Sequence, residues 1–222
     1  MGERTIEVLA DAEAVALRGA ELIADCVRRG VAERGSFSLA LSGGRTPQHM
    51  IELVSRQDVP WKSVTVFQVD ERIAPYGDAH RNLTTLEHAL PEAAIVSMPV
   101  EDDDLLAAAD RYAALLPRSL DLVHLGLGAD GHTASLVPGC AALGIRDRDV
   151  AISIEYHGRR RMTLTYPAID RAREALFVVI GEDKAEALAQ LMAGDLSMPA
   201  AHVRTPRQTV LADQEAASGL YS

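Results

Sequence analysis

The sequence predicts an α/β fold with a doubly wound, mainly parallel sheet flanked by helices. Short apolar runs, rich in β-branched residues, alternate with helical segments along the 222-residue chain, and this alternation is typical of parallel sheets. The clearest runs are VTVFQVDE, LDLVHLGLG and ALFVVIGED, which end in glycine or acidic residues. No proline-rich or serine-rich linker and no internal repeat interrupts them, so we expect a single α/β domain over residues 1–222.

The first helix is predicted over residues 11–34. Asp11 is a good N-cap, alanine-rich spacing follows it, and Gly35 suits the residue that ends a helix. Further helices are predicted in the segments DLLAAADRYAALL and KAEALAQLM. Helices and strands therefore alternate through most of the chain.

The run FSLALSGG predicts a buried strand followed by a turn at Gly43 and Gly44. Pro47 suits the first turn of the next helix, which we expect to continue to about Arg56. In open α/β sheets, ligands bind beyond the carboxyl ends of the strands, where the strand order reverses. Since most polar residues of interest follow predicted strands, we expect one site assembled from several loops.

Composition and charge limit the classes of function. Apolar residues make up 48% of the chain, and the net charge of −10 argues against a nucleic-acid-binding surface. Cys26 and Cys140 lack CxxC spacing, which fits a reducing compartment. The sequence has neither a signal-like apolar segment nor the run of about 20 apolar residues that spans a membrane. We therefore expect a soluble, cytoplasmic protein without nucleic-acid or membrane partners.

The segment HLGLGADGHTAS contains the spacing G-x-G-x-x-G at Gly126, Gly128 and Gly131, which occurs in many dinucleotide-binding turns. Such a site also needs a full helix directly after the last glycine. Here Pro138 would stop a helix after about two turns. Asp130 would place a carboxylate where a pyrophosphate approaches. A dinucleotide cofactor is therefore disfavoured.

The loop SGGRTP follows a predicted strand and opens a predicted helix. Gly43 and Gly44 would let the backbone approach a ligand closely, while Ser42, Arg45 and Thr46 would add hydrogen-bond donors. This pattern favours a phosphate monoester. It lacks the Lys-Ser/Thr ending of a nucleotide-binding P-loop. A tight turn with a solvated arginine is the alternative.

Three cations are further candidates. Arg72 follows Asp70 and Glu71 at the end of the predicted VTVFQV strand, where it could meet an oxyanion. Arg161 lies at a strand start and Lys184 at a helix start, so both could join the SGGRTP loop in holding a phosphate. A surface acidic turn and exposed cations are the alternatives.

His132 is the strongest candidate for a catalytic role. It lies in a glycine-bounded loop two residues after Asp130, and a neighbouring carboxylate can orient an imidazole that takes a proton from water. His124 lies within a predicted strand and is expected in the core or behind the site. The absence of HExxH disfavours a metal site, and the absence of G-x-S-x-G disfavours Ser42 or Ser135 as a nucleophile.

Six segments deserve comparison as a set: LALSGGRTP, VFQVDERIAP, the Asn82 of HRNLTTL, HLGLGADGHTASLVPG, RMTLTYPAI and GEDKAEAL. In their order and spacing, over about residues 36–192, they closely resemble the 6-phosphogluconolactonase family. GADGHTASLVPG is the most specific block, and the tail PAAHVRTPRQTVLADQEAA is similar more loosely. Arg45 replaces a frequent serine and Val137 a frequent phenylalanine; neither change removes a group that the reaction needs.

The resemblance implies a hydrolase without a metal or cofactor, whose fold is shared with glucosamine-6-phosphate deaminase. His132 would activate water against the carbonyl of 6-phosphogluconolactone, Asp130 would orient His132, and Arg72 would stabilise the oxyanion. The resemblance also implies a place in the oxidative pentose phosphate pathway, with functional links to glucose-6-phosphate dehydrogenase and 6-phosphogluconate dehydrogenase.

The same resemblance implies a set of substrate-binding residues. Those expected to hold the phosphate are Ser42, Gly43, Gly44, Arg161 and Lys184. Arg45, Thr46, Asp70 and Asn82 complete the candidate substrate-binding set, with the individual roles of Asp70, Glu71 and Asn82 left open.

Two alternatives remain at this point. Glucosamine-6-phosphate deaminases have a similar histidine block but place a glutamate five residues beyond the histidine, where this chain has Val137. A non-catalytic sugar-phosphate sensor would be expected to lack the general base, yet His132 is present. Lactone hydrolysis is therefore the preferred interpretation.

Overall fold

Ten strands and seven helices are present in the computed structural model, which describes residues 3–220 apart from the side chains of residues 45 and 46. The strands are β1 (Glu3–Leu9), β2 (Phe37–Leu41), β3 (Val64–Gln68), β4 (Asp70–Arg72), β5 (Ala94–Val96), β6 (Leu122–Gly126), β7 (Val150–Ile152), β8 (Arg161–Leu164), β9 (Glu174–Val179) and β10 (Arg207–Asp213). The helices are α1 (Ala12–Arg34), α2 (Arg45–Ser55), α3 (Asn82–Ala89), α4 (Leu105–Leu115), α5 (Tyr166–Asp170), α6 (Ala185–Ala193) and α7 (Gln214–Ala217).

Seven strands form one parallel sheet in the order β1-β10-β9-β6-β2-β3-β5. From β2 the chain runs outward through β3 to β5, then returns to β6 on the other side of β2. The strand order therefore reverses between β2 and β6, and this reversal marks the usual ligand crevice of such sheets. The predicted doubly wound α/β fold is confirmed.

Helices cover both faces of the parallel sheet. Neighbouring residues of β2 point to opposite faces: Leu39 joins a core with α1, α2 and α3, whereas Ala40 joins a core with α4, α5 and α6. Ile23 of α1 and Tyr112 of α4 are fully buried in these two cores. Burial on both faces explains why the strands are continuous apolar runs in the sequence.

The longest helix, α1, has the termini that the sequence predicts. The Asp11 carboxylate accepts a hydrogen bond from the Ala14 amide at 2.8 Å, and Gly35 ends the helix in the left-handed conformation, with φ of 78°. The next helix, α2, begins at Arg45, so that Pro47 lies in its first turn as expected. Within residues 3–220, no helix has both the length and the apolarity needed to cross a membrane.

A second, three-stranded sheet has the order β4-β8-β7 and is antiparallel. The interpretation of Asp70 to Arg72 as the end of the VTVFQV strand is therefore wrong, because these residues form the separate strand β4. The change of partner occurs at Val69, whose amide donates to the Leu41 carbonyl at 3.0 Å while its own carbonyl accepts from the Leu164 amide at 2.8 Å. The new partner lies far along the chain, so local sequence pattern does not reveal the switch.

His124 of β6 is fully buried, as expected for a core residue. In the described structure, neither of its ring nitrogens has a hydrogen-bond partner. Burial disfavours the imidazolium and lowers the pKa of His124 from 6.5 to about 4. The folded protein therefore keeps this histidine neutral under conditions in which the unfolded chain takes up a proton.

We expect His124 to make the protein sensitive to acid. Because the pKa is lower in the folded state, stability that is present above pH 6.5 is lost as the pH falls towards 4. His124→Leu should remove this part of the pH dependence, which amounts to about 3 kcal/mol in the free energy of unfolding. Urea unfolding across that pH interval measures it, with the exposed His88→Leu as the control. An unchanged pH dependence in His124→Leu would contradict the prediction.

Candidate active site

Polar side chains gather at the carboxyl ends of β2 and β6, where the strand order reverses. The Ser42 hydroxyl follows β2 and donates to the His124 carbonyl of β6 at 3.0 Å. The Thr133 hydroxyl, in the loop after β6, donates to the Gly126 carbonyl at 2.8 Å. These bonds tie the two loops to the strand ends, so the predicted site residues after β2 and β6 lie at one edge of the sheet.

The glycine-rich loop after β6 is shaped around His132. The Gly128 amide donates to the His132 carbonyl at 2.8 Å, and Gly131 has a φ of 79°, a conformation that favours glycine. A Cβ atom on Gly128 would lie only 2.0 Å from Nδ1 of His132. The glycine at 128 therefore makes room for the histidine ring. Residues 127–140 contain no helix, whereas a dinucleotide site needs one directly after the last glycine.

His132 and Asp130 form a close pair. Nδ1 of His132 lies 2.6 Å from Oδ1 of Asp130, so Nε2 is the ring nitrogen left to face water or substrate. Partial burial opposes ionisation of Asp130, but its bonds to His132 and to the Tyr156 hydroxyl outweigh that effect and lower its pKa. Asp130 is therefore a carboxylate at neutral pH, the form that can orient an imidazole and stabilise its charge.

Asp70 is buried, with only 6% of its surface exposed. Its carboxylate accepts from the Ser135 hydroxyl at 2.6 Å and from Nδ2 of Asn82 at 3.1 Å, and the Arg161 guanidinium is 3.9 Å away. Its partners come from the loop after β6, the start of α3 and the start of β8. Asp70 thus holds these three segments together from a buried position. A direct contact of Asp70 with substrate stays a prediction.

Arg72 and Asn82 contact each other next to the loop after β2. The Arg72 guanidinium donates to Oδ1 of Asn82 and, at 2.9 Å, to the His80 carbonyl. A Cβ atom on Gly43 would lie 1.9 Å from Oδ1 of Asn82. Gly43 is therefore needed for the close approach of Asn82, and the pair brings the Arg72 cation to the edge of the loop that is predicted to hold phosphate.

Glu71, whose role the sequence leaves open, is a structural anchor. It is fully buried, and its carboxylate accepts from the Asn82 and Leu83 amides, both at 2.8 Å, at the start of α3. It also accepts from Nε2 of Gln68 at 2.7 Å and lies 3.4 Å from Nε of the buried Arg81. Glu71 therefore fixes the helix start that carries Asn82.

Arg161 is 9% exposed, and its Nε has no hydrogen-bond partner in the described part of the chain. Burial lowers the pKa of Arg161 below its ordinary value, although nearby Asp70 opposes that change. Its guanidinium carbon lies 5.4 Å from the centre of the Tyr156 ring, within the range of a cation–π contact. A buried cation with an unused donor is suited to binding an anion.

Tyr156 is a site residue that sequence reasoning missed. Its hydroxyl donates to Oδ2 of Asp130 at 3.1 Å, and its ring meets the His132 ring edge to face, with centroids 5.2 Å apart. The sequence YHGR could have predicted the hairpin that carries Tyr156, because His157 and Gly158 suit a two-residue turn. That turn does not by itself indicate what the tyrosine contacts.

Lys184 is placed differently from the other predicted cations. It follows β9 at the start of α6, pairs with Asp183 at 2.8 Å and borders a cavity with Glu13 and His49. A phosphate contact by Lys184 therefore stays a prediction. The other predicted residues are connected through contacts in the structure: His132, Asp130, Arg72, Asn82 and Arg161. The side chains of Arg45 and Thr46 lie outside the described part of the structure, so their predicted roles also remain predictions.

Sequence comparison gives a clear family match. The profile of the family described as glucosamine-6-phosphate isomerases/6-phosphogluconolactonase matches residues 10–212. The chain is 34% identical over 236 residues to a 6-phosphogluconolactonase of a Nostoc species, covering 98% of both chains. It is 35% identical to a 6-phosphogluconolactonase of Streptomyces coelicolor, covering 94% of this chain and 90% of the relative.

Solved structures of related proteins have the same fold as this chain. A 6-phosphogluconolactonase from Shewanella baltica matches with a TM-score of 0.88 at 26% identity, covering 95% of this chain and 98% of that one. A monomeric glucosamine-6-phosphate deaminase matches with a TM-score of 0.85 at 20% identity, covering 97% and 99%. The second likeness shows the fold alone.

Removing the Glu71 carboxylate should destabilise the protein strongly. Glu71→Ala would leave Arg81, whose side chain is 2% exposed, without its buried partner and would leave the first amides of α3 without their acceptor. We expect the free energy of unfolding to fall by about 3–5 kcal/mol. Urea denaturation followed by circular dichroism measures the change. Glu92→Ala, at an exposed position, is the control, and equal stability of the two variants would contradict the anchoring role.

Proposed function

The chain belongs to the family of glucosamine-6-phosphate isomerases and 6-phosphogluconolactonases, and we propose that it hydrolyses 6-phospho-D-glucono-1,5-lactone to 6-phospho-D-gluconate. The observation that carries this proposal is the His132–Asp130 pair, in the loop after β6 where the strand order reverses; Tyr156 contacts both this pair and the buried cation Arg161. A lactone hydrolase needs a base for water and cations for an oxyanion and a phosphate, and this site offers both kinds of group.

In the proposed reaction, Nε2 of His132 takes a proton from water as the water oxygen bonds to the lactone carbonyl carbon. The Asp130 carboxylate, 2.6 Å from Nδ1, stabilises the imidazolium that forms. The carbonyl oxygen becomes an oxyanion, for which Arg72 is the candidate donor. Collapse of this intermediate breaks the bond to the ring oxygen, and His132 returns the proton to that oxygen. General-base assistance of this kind contributes roughly 10²–10⁴-fold.

The phosphate of the substrate is proposed to bind the Ser42–Gly44 loop and Arg161, with Lys184, Arg45 and Thr46 as further candidates. Arg161 supports this assignment because its Nε has no partner in the described structure and its cation is largely removed from water. An interaction between a partly desolvated cation and a dianion is stronger than the same interaction at the surface. The phosphate would thereby anchor one end of the substrate while the lactone reaches His132.

Deaminase activity is less well supported than lactone hydrolysis. The position five residues after His132 is Val137, which is 1% exposed and packs in an apolar core. A valine cannot carry the proton that a glutamate carries there in the deaminase mechanism. A sensor without activity is also less well supported, because the His132–Asp130 pair has the geometry of a general base. We propose that the lactonase works in the cytoplasm between glucose-6-phosphate dehydrogenase and 6-phosphogluconate dehydrogenase.

We expect His132→Ala to lose the catalysed opening of 6-phosphogluconolactone while it still binds 6-phosphogluconate. The rate should fall by at least about 10²-fold, since the base is lost and the phosphate-binding groups remain. Coupling to 6-phosphogluconate dehydrogenase reports each acid product as NADPH, measured against the reaction without enzyme. The exposed His88→Ala is the control. Full activity of His132→Ala would exclude this mechanism. If the wild-type protein opens the lactone no faster than the reaction without enzyme, glucosamine 6-phosphate is the next substrate to test.

We expect Arg161→Ala to raise KM more than it lowers kcat, because the phosphate is remote from the reacting carbonyl. The same constants measured for Lys184→Ala show whether the phosphate site extends to α6, since a raised KM is expected if it does. Steady-state kinetics in the same coupled assay separates the two constants. A loss of kcat at unchanged KM in Arg161→Ala would place that cation at the reacting carbonyl instead.

A further inference from the structure

A tight hairpin between β7 and β8 carries Tyr156 to the candidate site. The Tyr156 amide donates to the Arg159 carbonyl at 3.0 Å, and the reverse bond is 3.4 Å long. The two residues between them, His157 and Gly158, have φ values of 51° and 75°. Left-handed φ at both central positions is the mark of a type I′ turn, the connection that matches the twist of antiparallel strands. The position of Tyr156 is therefore set by the backbone of the turn.

The Tyr156 side chain contacts both the His132–Asp130 pair and the Arg161 guanidinium. Its hydroxyl binds Oδ2 of Asp130 at 3.1 Å, the carboxylate oxygen that His132 does not use, since His132 Nδ1 binds Oδ1. Its ring lies edge to face with the His132 ring and under the Arg161 guanidinium. One side chain thus links the predicted base to the predicted phosphate-binding cation.

We propose that Tyr156 is a positioning residue, which holds Asp130 so that its other oxygen faces His132 and supports Arg161 with its ring. The catalytic meaning of this inference rests on the proposed function. An Asp side chain rotates about its Cβ–Cγ bond unless both oxygens are engaged, and a misdirected carboxylate no longer fixes the imidazole. Tyr156 supplies the second point of attachment, and the hairpin defines the backbone position from which its side chain extends.

The charges around Tyr156 are consistent with a donor role. Burial, followed by the nearby Asp130 carboxylate, raises the pKa of Tyr156, so its hydroxyl keeps its proton at neutral pH. Arg161 acts in the opposite direction, and the His157 ring lies 4.1 Å from the Tyr156 ring, centroid to centroid. The hydroxyl is also among the groups that lower the pKa of Asp130. Removing it should therefore raise the pKa of that carboxyl.

Two substitutions separate the hydroxyl from the ring. Tyr156→Phe should lower kcat roughly 3–10-fold, the effect expected for one lost hydrogen bond, with KM nearly unchanged because the ring still supports Arg161. Tyr156→Leu should lower kcat and also raise KM several-fold. The matched control is Tyr76→Phe, which removes another tyrosine hydroxyl that binds a carboxylate, here Glu87 at 3.0 Å, outside the site. That control should change neither constant.

A second readout does not depend on turnover. A ¹³C NMR titration of the Asp130 carboxyl should show an upward shift of its pKa in Tyr156→Phe and no shift in Tyr76→Phe. Wild-type kcat together with an unchanged Asp130 titration in Tyr156→Phe would overturn the inference. If the wild-type protein does not open the lactone, the proposed function fails, and the Asp130 titration alone then decides whether Tyr156 holds that carboxylate.

Discussion

The buried carboxylate of Asp70 is the interaction on which the candidate site depends. A charge with 6% exposure is costly unless donors surround it, and the chain supplies a hydroxyl from Ser135, an amide from Asn82 and the cation of Arg161. These donors come from three segments that are distant in sequence. By satisfying one carboxylate, they fix the loop that carries His132, the start of α3 and the start of β8 relative to one another. Burying Asp70 thus joins three of the segments that carry the site.

Both cations of the candidate site contact other residues of the site, in a chain whose net charge is −10. Arg72 binds Asn82, and Arg161 lies between Asp70 and the Tyr156 ring. Such contacts reduce the reorganisation of the guanidinium groups that is needed when negative charge arrives or develops. Preorganised donors of this kind contribute more to catalysis than mobile surface cations do.

The sequence predicted the features that local chemistry determines. The cap at Asp11, the stop at Gly35 and the apolar strands follow from short-range rules, and the parallel sheet follows from their alternation. The candidate residues after β2 and β6 could be grouped because parallel strands end at one edge. The burial of Glu71 and the contact of Tyr156 with Asp130 depend on pairings between distant segments. No local pattern specifies such pairings, so these two roles became visible only in the structure.

The exchange of partners at Val69 also bears on the order in which the protein folds. β2 and β3 pair over a short sequence separation, but β4 must wait for β8, since Asp70 lies opposite Thr163. Contacts between such distant residues require a large loop to close and form slowly. During synthesis, the ribosome has to release more than ninety residues after Asp70 before Arg161 can join it. The site can therefore be completed only once the two ends of this long loop have met.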